Sequence, residues 1–170
     1  FIMAAINTRI VLRSNALTGN QYGNNFTYDE AMLVGKGIKG RLTATAIVAG
    51  LGAFFIGAAL KPTRWVLEKF ILPKPGEGPS PKAQVEGYYD IRFIGTTPSG
   101  KEIRSKVLGQ GDPGYGSTSK MLGQVGACLA LDSDSFENKE GGFWTTSTLL
   151  GDRLIERLEK DAQLKFEILG

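Results

Sequence analysis

The stretch GYYDIRFIGTTPSGKEIRSKVL, residues 87–108, decides the fold class. Apolar and polar side chains alternate on both sides of Pro98-Ser99-Gly100, and Tyr89, Ile91 and Phe93 share one side. A period of two is typical of strands, and Pro and Gly in this order favour a type I turn with a left-handed exit. We therefore predict an antiparallel hairpin in which Tyr89, Ile91 and Phe93 are buried together.

Periodicity and capping signals predict the remaining elements. In chain order they are a helix over 1–17, a strand over 26–34, a long apolar helix over 42–60, a short amphipathic helix over 63–72, a stiff proline-rich linker over 73–81, a buried helix over 117–131, a polar loop over 133–142, a helix capped by Thr145 or Thr146 and a closing strand over 164–169. This order predicts an α+β fold with a mixed or largely antiparallel sheet packed with helices, in a single domain over residues 1–170.

The uncharged run over residues 42–60 leaves three alternatives open. A helix of this length spans about 30 Å, close to the thickness of a bilayer core. Ala49, Ala53 and Gly57 form a stripe of small residues that suits close helix packing. A membrane span, peripheral lipid contact and a buried or dimer-interface helix all agree with this pattern. Because Ala and Gly offer lipid little apolar area, we expect packing against protein, either this chain's sheet or a second copy.

Composition excludes several classes of function. The sequence contains no histidine, which removes the commonest general base and metal ligand, so we predict no metal site. A net charge of +3, from 20 basic and 17 acidic residues, falls short of a nucleic-acid binder. Cys128 is the only cysteine and lies in an apolar run, so we expect it to be buried, and nothing indicates an oxidising compartment. We expect a cytoplasmic protein, with membrane association as the alternative.

Four stretches together resemble one family. They are MAAINTRIV with RSNAL at 3–17, PKPGEGPS at 73–80, DPGYGSTSKML at 112–122, and GGFWT with GDRLIERL at 141–158. The pattern resembles the C-terminal half of saccharopine dehydrogenase-like oxidoreductases, especially the trans-acting enoyl reductase branch linked to complex lipid synthesis. The run at 112–122 is the most specific. Thr146 departs from the family pattern, which has a proline at the opening of the last helix.

The resemblance implies a parent oxidoreductase that uses NADP or NAD and acts on a lipid-like or acyl substrate. Its N-terminal Rossmann domain would carry a glycine-rich fingerprint that residues 109–114 lack, since Pro113 removes a backbone donor. The chain opens inside an apolar segment without an initiator Met, so we expect a C-terminal part of a longer protein. Expected partners are that nucleotide-binding domain, a second copy in a homodimer and, as an alternative, a lipid or membrane surface. The alternative function is a non-catalytic membrane-associated or dimerisation module.

Two groups of residues are candidates for substrate binding, while the catalytic residues stay unassigned. The candidates are Asn7, Arg9, Arg13, Asp112, Tyr115, Ser117, Thr118 and Lys120. Those at 112–120, the turn group, lie on a glycine-rich turn into a helix N-terminus, which attracts anions; the alternative is a capped turn alone. Those at 7–13, the first-helix group, include two arginines that suit a carboxylate or phosphate; the alternative is a solvated helix face. Tyr115 and Lys120 are expected only to position substrate.

Our first prediction is that this chain alone does not bind NADH or NADPH with useful affinity. It lacks the phosphate-binding fingerprint and the acidic ribose partner that follows it. Isothermal titration calorimetry of the purified chain checks the prediction, and micromolar binding of either nucleotide would refute it.

Overall fold

A computed structural model describes residues 1–136 and 141–169. Contacts divide the chain into two units: unit 1 comprises Phe1–Ala4 and Asp29–Gly78, and unit 2 comprises Ala5–Tyr28 and Pro79–Gly170. The elements in chain order are α1 (Ala4–Leu17), α2 (Gly37–Ala59), α3 (Lys61–Phe70), α4 (Pro81–Glu86), β1 (Tyr88–Thr96), β2 (Glu102–Gln110), α5 (Gly116–Leu131), a 3₁₀ turn (Ser133–Ser135), α6 (Thr146–Asp161) and β3 (Leu164–Leu169). The fold class is α+β, as predicted. The single-domain expectation stays a prediction, and the loop predicted over 133–142 lies partly outside the described residues.

The sheet of unit 2 is antiparallel throughout, in the order β1-β2-β3. Gly100 adopts a φ of 81° in the turn between β1 and β2, and its N–H donates to the Thr97 carbonyl at 2.9 Å. A left-handed conformation there suits a residue without a Cβ. The predicted hairpin, its turn and the closing strand are therefore confirmed.

The core of unit 2 lies where α5 and α6 meet the sheet. Leu150, Leu154 and Leu158 recur every four residues along α6 and are buried with Cys128 of α5. Thr145 begins α6 in a capping box, in which its N–H donates to the Thr148 hydroxyl at 3.2 Å. The predicted last helix and the buried cysteine are confirmed. Leu154 and Leu158 share one helix face because they lie four residues apart, while Leu150 precedes Gly151, where the backbone leaves the helical conformation.

The strand predicted over residues 26–34 was wrong. This segment has no regular secondary structure and no strand pairs with it among the described residues. The chain just before this segment is instead tied to α1 by the buried Asn15, whose side chain donates to the Gly23 carbonyl at 3.2 Å and accepts from the Tyr22 N–H at 2.9 Å. Alternation alone cannot make a strand, because a strand also needs a partner for its backbone groups.

The expectation that Tyr89, Ile91 and Phe93 are buried together was also wrong. Tyr89 is half-buried, whereas Ile91 and Phe93 are 47% and 41% exposed. Core packing reaches the sheet through Val107 of β2 and Phe166 of β3, and α6 packs against β3. Because β1 is the edge strand on the far side of β2, this packing covers it only in part.

Unit 1 is built on the packing of α2 against α3. The predicted long apolar helix is confirmed and begins five residues before the predicted start, at Gly37. A groove between the two helices is lined by Gly50, Ala53 and Gly57 of α2 and by Val66 and Leu67 of α3. Of the small-residue stripe, Ala53 and Gly57 therefore line the groove with α3, together with the larger Phe54.

Gly109 of β2 makes room for an aromatic ring. It is paired with Tyr89 across the sheet, and a Cβ at position 109 would lie 2.1 Å from the Tyr89 ring. The ring thus passes directly over the strand backbone and brings its hydroxyl to α5, 2.9 Å from the Ser117 Oγ. A side chain at position 109 would push the ring away from α5.

Our second prediction follows from this contact. Gly109→Ala should lower the free energy of unfolding by about 1–3 kcal/mol, because the added methyl overpacks against the ring. Gly95→Ala on β1 is the matched control, since its Cβ would meet nothing nearer than the Ile103 carbonyl oxygen at 3.9 Å. Urea denaturation followed by circular dichroism checks both.

In a Tyr89→Ala variant the ring is absent, so adding Gly109→Ala should no longer lower the free energy of unfolding. An equal loss of stability with and without the ring would show that the glycine serves another purpose.

Candidate functional site

The Asp112 carboxylate organises the turn group. Its Oδ1 accepts from the N–H groups of Gly114 and Tyr115, both at 3.0 Å, and its Oδ2 accepts from the Gly116 N–H at 2.5 Å. Donation from Gly116, then from Tyr115, holds the pKa of the Asp112 carboxyl below its usual value. The carboxylate stays charged at the positive end of α5 and fills the place that an external anion would take.

Glycines around Asp112 bring three backbone segments into contact. The Gly111 N–H donates to the Gly87 carbonyl at 2.7 Å, and the Asp112 N–H donates to the Gln84 carbonyl at 3.0 Å. A Cβ at Gly116 would lie 2.4 Å from that Gln84 oxygen, and a Cβ at Gly87 would lie 2.6 Å from the Asp112 backbone. These glycines join the end of α4 to the end of β2 and the start of α5.

Ser117 is a structural member of the turn group. It is fully buried, and its hydroxyl lies 2.9 Å from the Tyr89 hydroxyl, which also donates to the Met121 sulfur at 3.9 Å. A hydroxyl in this position is satisfied within the protein. Ser117 therefore joins α5 to β1 and is not available to a ligand.

The other side chains of the turn group point to different neighbours. The Thr118 hydroxyl donates to the Pro113 carbonyl at 2.7 Å, which closes the turn from inside. The Lys120 ammonium donates to the Gln163 side chain, in the connection between α6 and β3. Tyr115 is 61% exposed, so its ring is accessible to a ligand.

The first-helix group lies beside the start of α6. Asn7 is half-buried, and Arg9 and Arg13 are exposed. The Arg13 guanidinium donates to the Phe143 carbonyl at 3.5 Å. One residue further along α1, the Ser14 hydroxyl lies 2.8 Å from the Thr145 hydroxyl. These contacts fix α1 to the N-terminal end of α6.

The two candidate groups do not converge on one pocket. Arg13 contacts the segment just before α6, whereas Lys120 contacts Gln163 just after α6 ends. The backbone of α6 leaves the helical conformation at Gly151 (φ 49°, ψ −136°), and the ten residues after it span about 15 Å as a helix. The structure thus places the two groups apart, and whether either group binds substrate stays a prediction.

A cluster of four hydroxyls where α1 meets α6 was missed by sequence reasoning. The Ser147 hydroxyl donates to Ser14 at 3.2 Å, and the Thr145 and Thr148 hydroxyls lie 3.0 Å apart. The Ser/Thr-rich start of α6 was recognised as a cap, but its contact with Ser14 joins residues 131 positions apart. No local sequence pattern predicts a contact between segments so distant in sequence.

An ion pair closes the other end of α5. Arg157 of α6 lies 2.5 Å from the Asp132 carboxylate, and this hydrogen bond lowers the pKa of Asp132. Burial raises the pKa of the neighbouring Cys128 thiol, which therefore stays protonated and unreactive. The pair ties α5 to α6 and supports a structural role for the cysteine.

The glycine-rich turn after β2 does not provide the free amides that a dinucleotide phosphate requires. Within residues 1–136 and 141–169, no group of three or more His, Cys, Asp or Glu side chains could hold a metal. The glycine-rich turn after β2 is the nearest candidate for a phosphate cradle, yet its amides donate to Asp112. This turn also leaves an antiparallel strand, unlike the parallel strand that precedes a dinucleotide-binding helix.

Within the described residues, the fold is α+β, and the glycine-rich turn is capped by Asp112 rather than open to a nucleotide. The sequence is similar to a candidate trans-acting enoyl reductase of Mycobacterium tuberculosis, with 42% identity over 161 residues. Proteins named trans-acting enoyl reductase from Mycobacterium bovis and Mycobacterium ulcerans are 40% and 38% identical over 163 residues. Each alignment covers 93% of this chain and 38% of the relative's length. No protein-family model matches the chain, and no solved structure matches it.

Our third prediction concerns the charge of Asp112. Because its pKa is lower in the folded state than in the unfolded chain, ionised Asp112 stabilises the fold above the unfolded value of about 4. That contribution is lost as the pH falls through the lower, folded pKa. Asp112→Asn should therefore be less stable than wild type at neutral pH, and the difference should shrink on acidification.

Urea denaturation at a series of pH values measures this difference. The exposed Asp152 of α6 supplies the control, and Asp152→Asn should leave the pH dependence close to that of wild type. A stability gap for Asp112→Asn that stays constant down to the acid limit would contradict the prediction.

Proposed function

We propose that this chain forms the substrate and assembly part of an enoyl reductase that uses a nicotinamide cofactor. Similarity to proteins named trans-acting enoyl reductases, over 93% of the chain, is the observation that carries the proposal. Since the chain spans 38% of the relatives' length, the cofactor site is assigned to the part of the protein beyond it. The occupied amides at Asp112 agree with this division.

The proposed chemistry is reduction of a carbon–carbon double bond in an acyl or lipid-like substrate. The cofactor supplies the hydride, and the protein contributes orientation and exclusion of water. Tyr115 is the proposed substrate contact of this chain, because it is exposed on a turn that Asp112 holds rigid. Asp112, Ser117 and Thr118 act by keeping that turn in place.

Finer assignments belong to the same proposal. The sequence resemblance favours the saccharopine dehydrogenase-like oxidoreductases as the wider family, NADP or NAD as the cofactor, and a homodimer in the cytoplasm. Arg9 and Arg13 are proposed as a second contact for an anionic group of the substrate, at the α1 end of unit 2.

The alternative function is a non-catalytic module for membrane association or dimerisation. The exposed apolar side chains of α2 favour it, since a reductase domain does not require such a helix. The two functions are compatible if α2 locates the enzyme and unit 2 serves the reaction.

Our fourth prediction tests the reductase proposal with a chimera. This chain replaces the similar segment of the trans-acting enoyl reductase of Mycobacterium bovis. We expect the chimera to reduce an enoyl thioester with NADPH or NADH, measured as nucleotide oxidation and as saturated product by mass spectrometry. Tyr115→Ala in the chimera should lower kcat/KM about tenfold or more, through loss of substrate positioning.

Phe143→Ala is the matched control, because Phe143 is an aromatic residue of the same unit and is 94% exposed. It should leave kcat/KM close to that of the unmodified chimera. A folded chimera that binds the nucleotide yet forms no saturated product would refute the proposed function.

A further inference from the structure

The apolar side chains of α2 are exposed around much of its circumference. The helix has 23 residues and a mean hydropathy of 1.9 over its most apolar window, and none of that window is buried. Val48, Phe55 and Ile56 are 70%, 56% and 66% exposed. Phe55 and Ile56 are successive residues, so their side chains leave the helix about 100° apart. Apolar groups thus face outward in more than one direction.

The remaining face of α2 is already occupied by α3. Gly50, Ala53 and Gly57 line the groove between the helices, and a Cβ at Gly57 would lie 3.6 Å from the Leu67 side chain. Ala53 and Gly57 therefore line the groove with α3 together with Phe54, while Val48, Phe55 and Ile56 remain exposed. A second copy would cover one further side of the helix, whereas lipid surrounds every exposed side at once.

Charge at both ends of α2 complements an anionic membrane. Residues 36–74 contain seven basic side chains and one acidic one. The basic residues are Lys36, Lys39, Arg41, Lys61, Arg64, Lys69 and Lys74. The acidic residue, Glu68, is paired with Arg64 at 2.9 Å. Basic flanks around an uncharged helix attract anionic headgroups, by about 1 kcal/mol for each Lys or Arg near the surface.

The amphipathic helix α3 has the composition of a membrane–water interface. Trp65 and Phe70 are 55% and 69% exposed, and the Lys69 ammonium lies 4.6 Å from the centre of the Trp65 ring. Tryptophan and lysine are favoured at the level of the headgroups, where one end of the side chain is apolar and the other is wet.

We propose that α2 inserts into an anionic lipid bilayer and that α3 lies at the level of its headgroups. The uncharged part of α2, residues 42–59, reaches about 27 Å at 1.5 Å per residue, close to the hydrocarbon core of about 30 Å. The expectation of protein packing rested on the small area of Ala and Gly. The structure changes that balance because bulky side chains of α2, among them Val48, Phe55 and Ile56, are exposed. This inference is independent of the proposed reductase function.

Our fifth prediction is that the full chain floats with lipid vesicles. Purified chain is mixed with vesicles of phosphatidylcholine and phosphatidylglycerol, or of phosphatidylcholine alone, and centrifuged in a sucrose gradient. The chain should float with both, more completely with the anionic vesicles, and should resist extraction by alkaline carbonate. Phe55→Asp should weaken partition about tenfold or more, since a charge within the apolar run of the helix is costly in lipid.

Two further variants separate insertion from unfolding and from charge alone. Ile168→Asp, at an 85% exposed position of β3, is the matched control and should float like wild type. The triple change Lys36→Gln, Lys39→Gln and Arg41→Gln should weaken binding to anionic vesicles about a hundredfold and leave neutral vesicles unaffected.

Three outcomes would overturn the inference. A defined soluble dimer that stays below the vesicles would assign the exposed face of α2 to a second copy. A soluble monomer that binds neither vesicle type would show that α2 does not insert into lipid. Flotation of Phe55→Asp equal to that of wild type would show that the chain binds lipid without inserting α2.

Discussion

Unit 2 depends on one charged cap, the Asp112 carboxylate at the start of α5. Three successive amides of the turn donate to it, and the backbone of Asp112 is itself bonded to Gln84 at the end of α4. A carboxylate in this position compensates the unpaired N–H groups and the positive end of the helix dipole. The direction of α5 follows from this cap, and with it the positions of Ser117 and Cys128, through which α5 contacts β1 and the core.

The Asp112 cap also limits what the turn itself can bind. An anion-binding turn needs free amides, and here the protein supplies its own anion. The turn is thus a rigid support that presents Tyr115 to solvent, while Lys120 and Arg13 lie towards opposite ends of α6. Under the proposed function, this turn shapes one side of a pocket whose other parts come from the rest of the enzyme.

Unit 1 follows a different physical rule. In unit 2, apolar residues face a core between two helices and a sheet, whereas in α2 many of them are exposed. Gly50, Ala53 and Gly57 line the groove between α2 and α3 together with Phe54. The basic flanks of the same segment complement the anionic lipid surface that we propose as its partner.

Local patterns in the sequence determined the hairpin and its Gly100 turn, the capped and amphipathic α6, the closing strand, the long apolar helix and the burial of Cys128. Each of these depends on residues within one or two turns or strands. Only the tertiary structure decided that residues 26–34 find no strand partner, that Ile91 and Phe93 stay partly exposed on an edge strand, and that the candidate site residues separate along α6. Those outcomes depend on which distant segments meet, as in the contact between Ser14 and Thr145. Periodicity indicates which side of an element is apolar, but the neighbouring elements determine whether anything covers it.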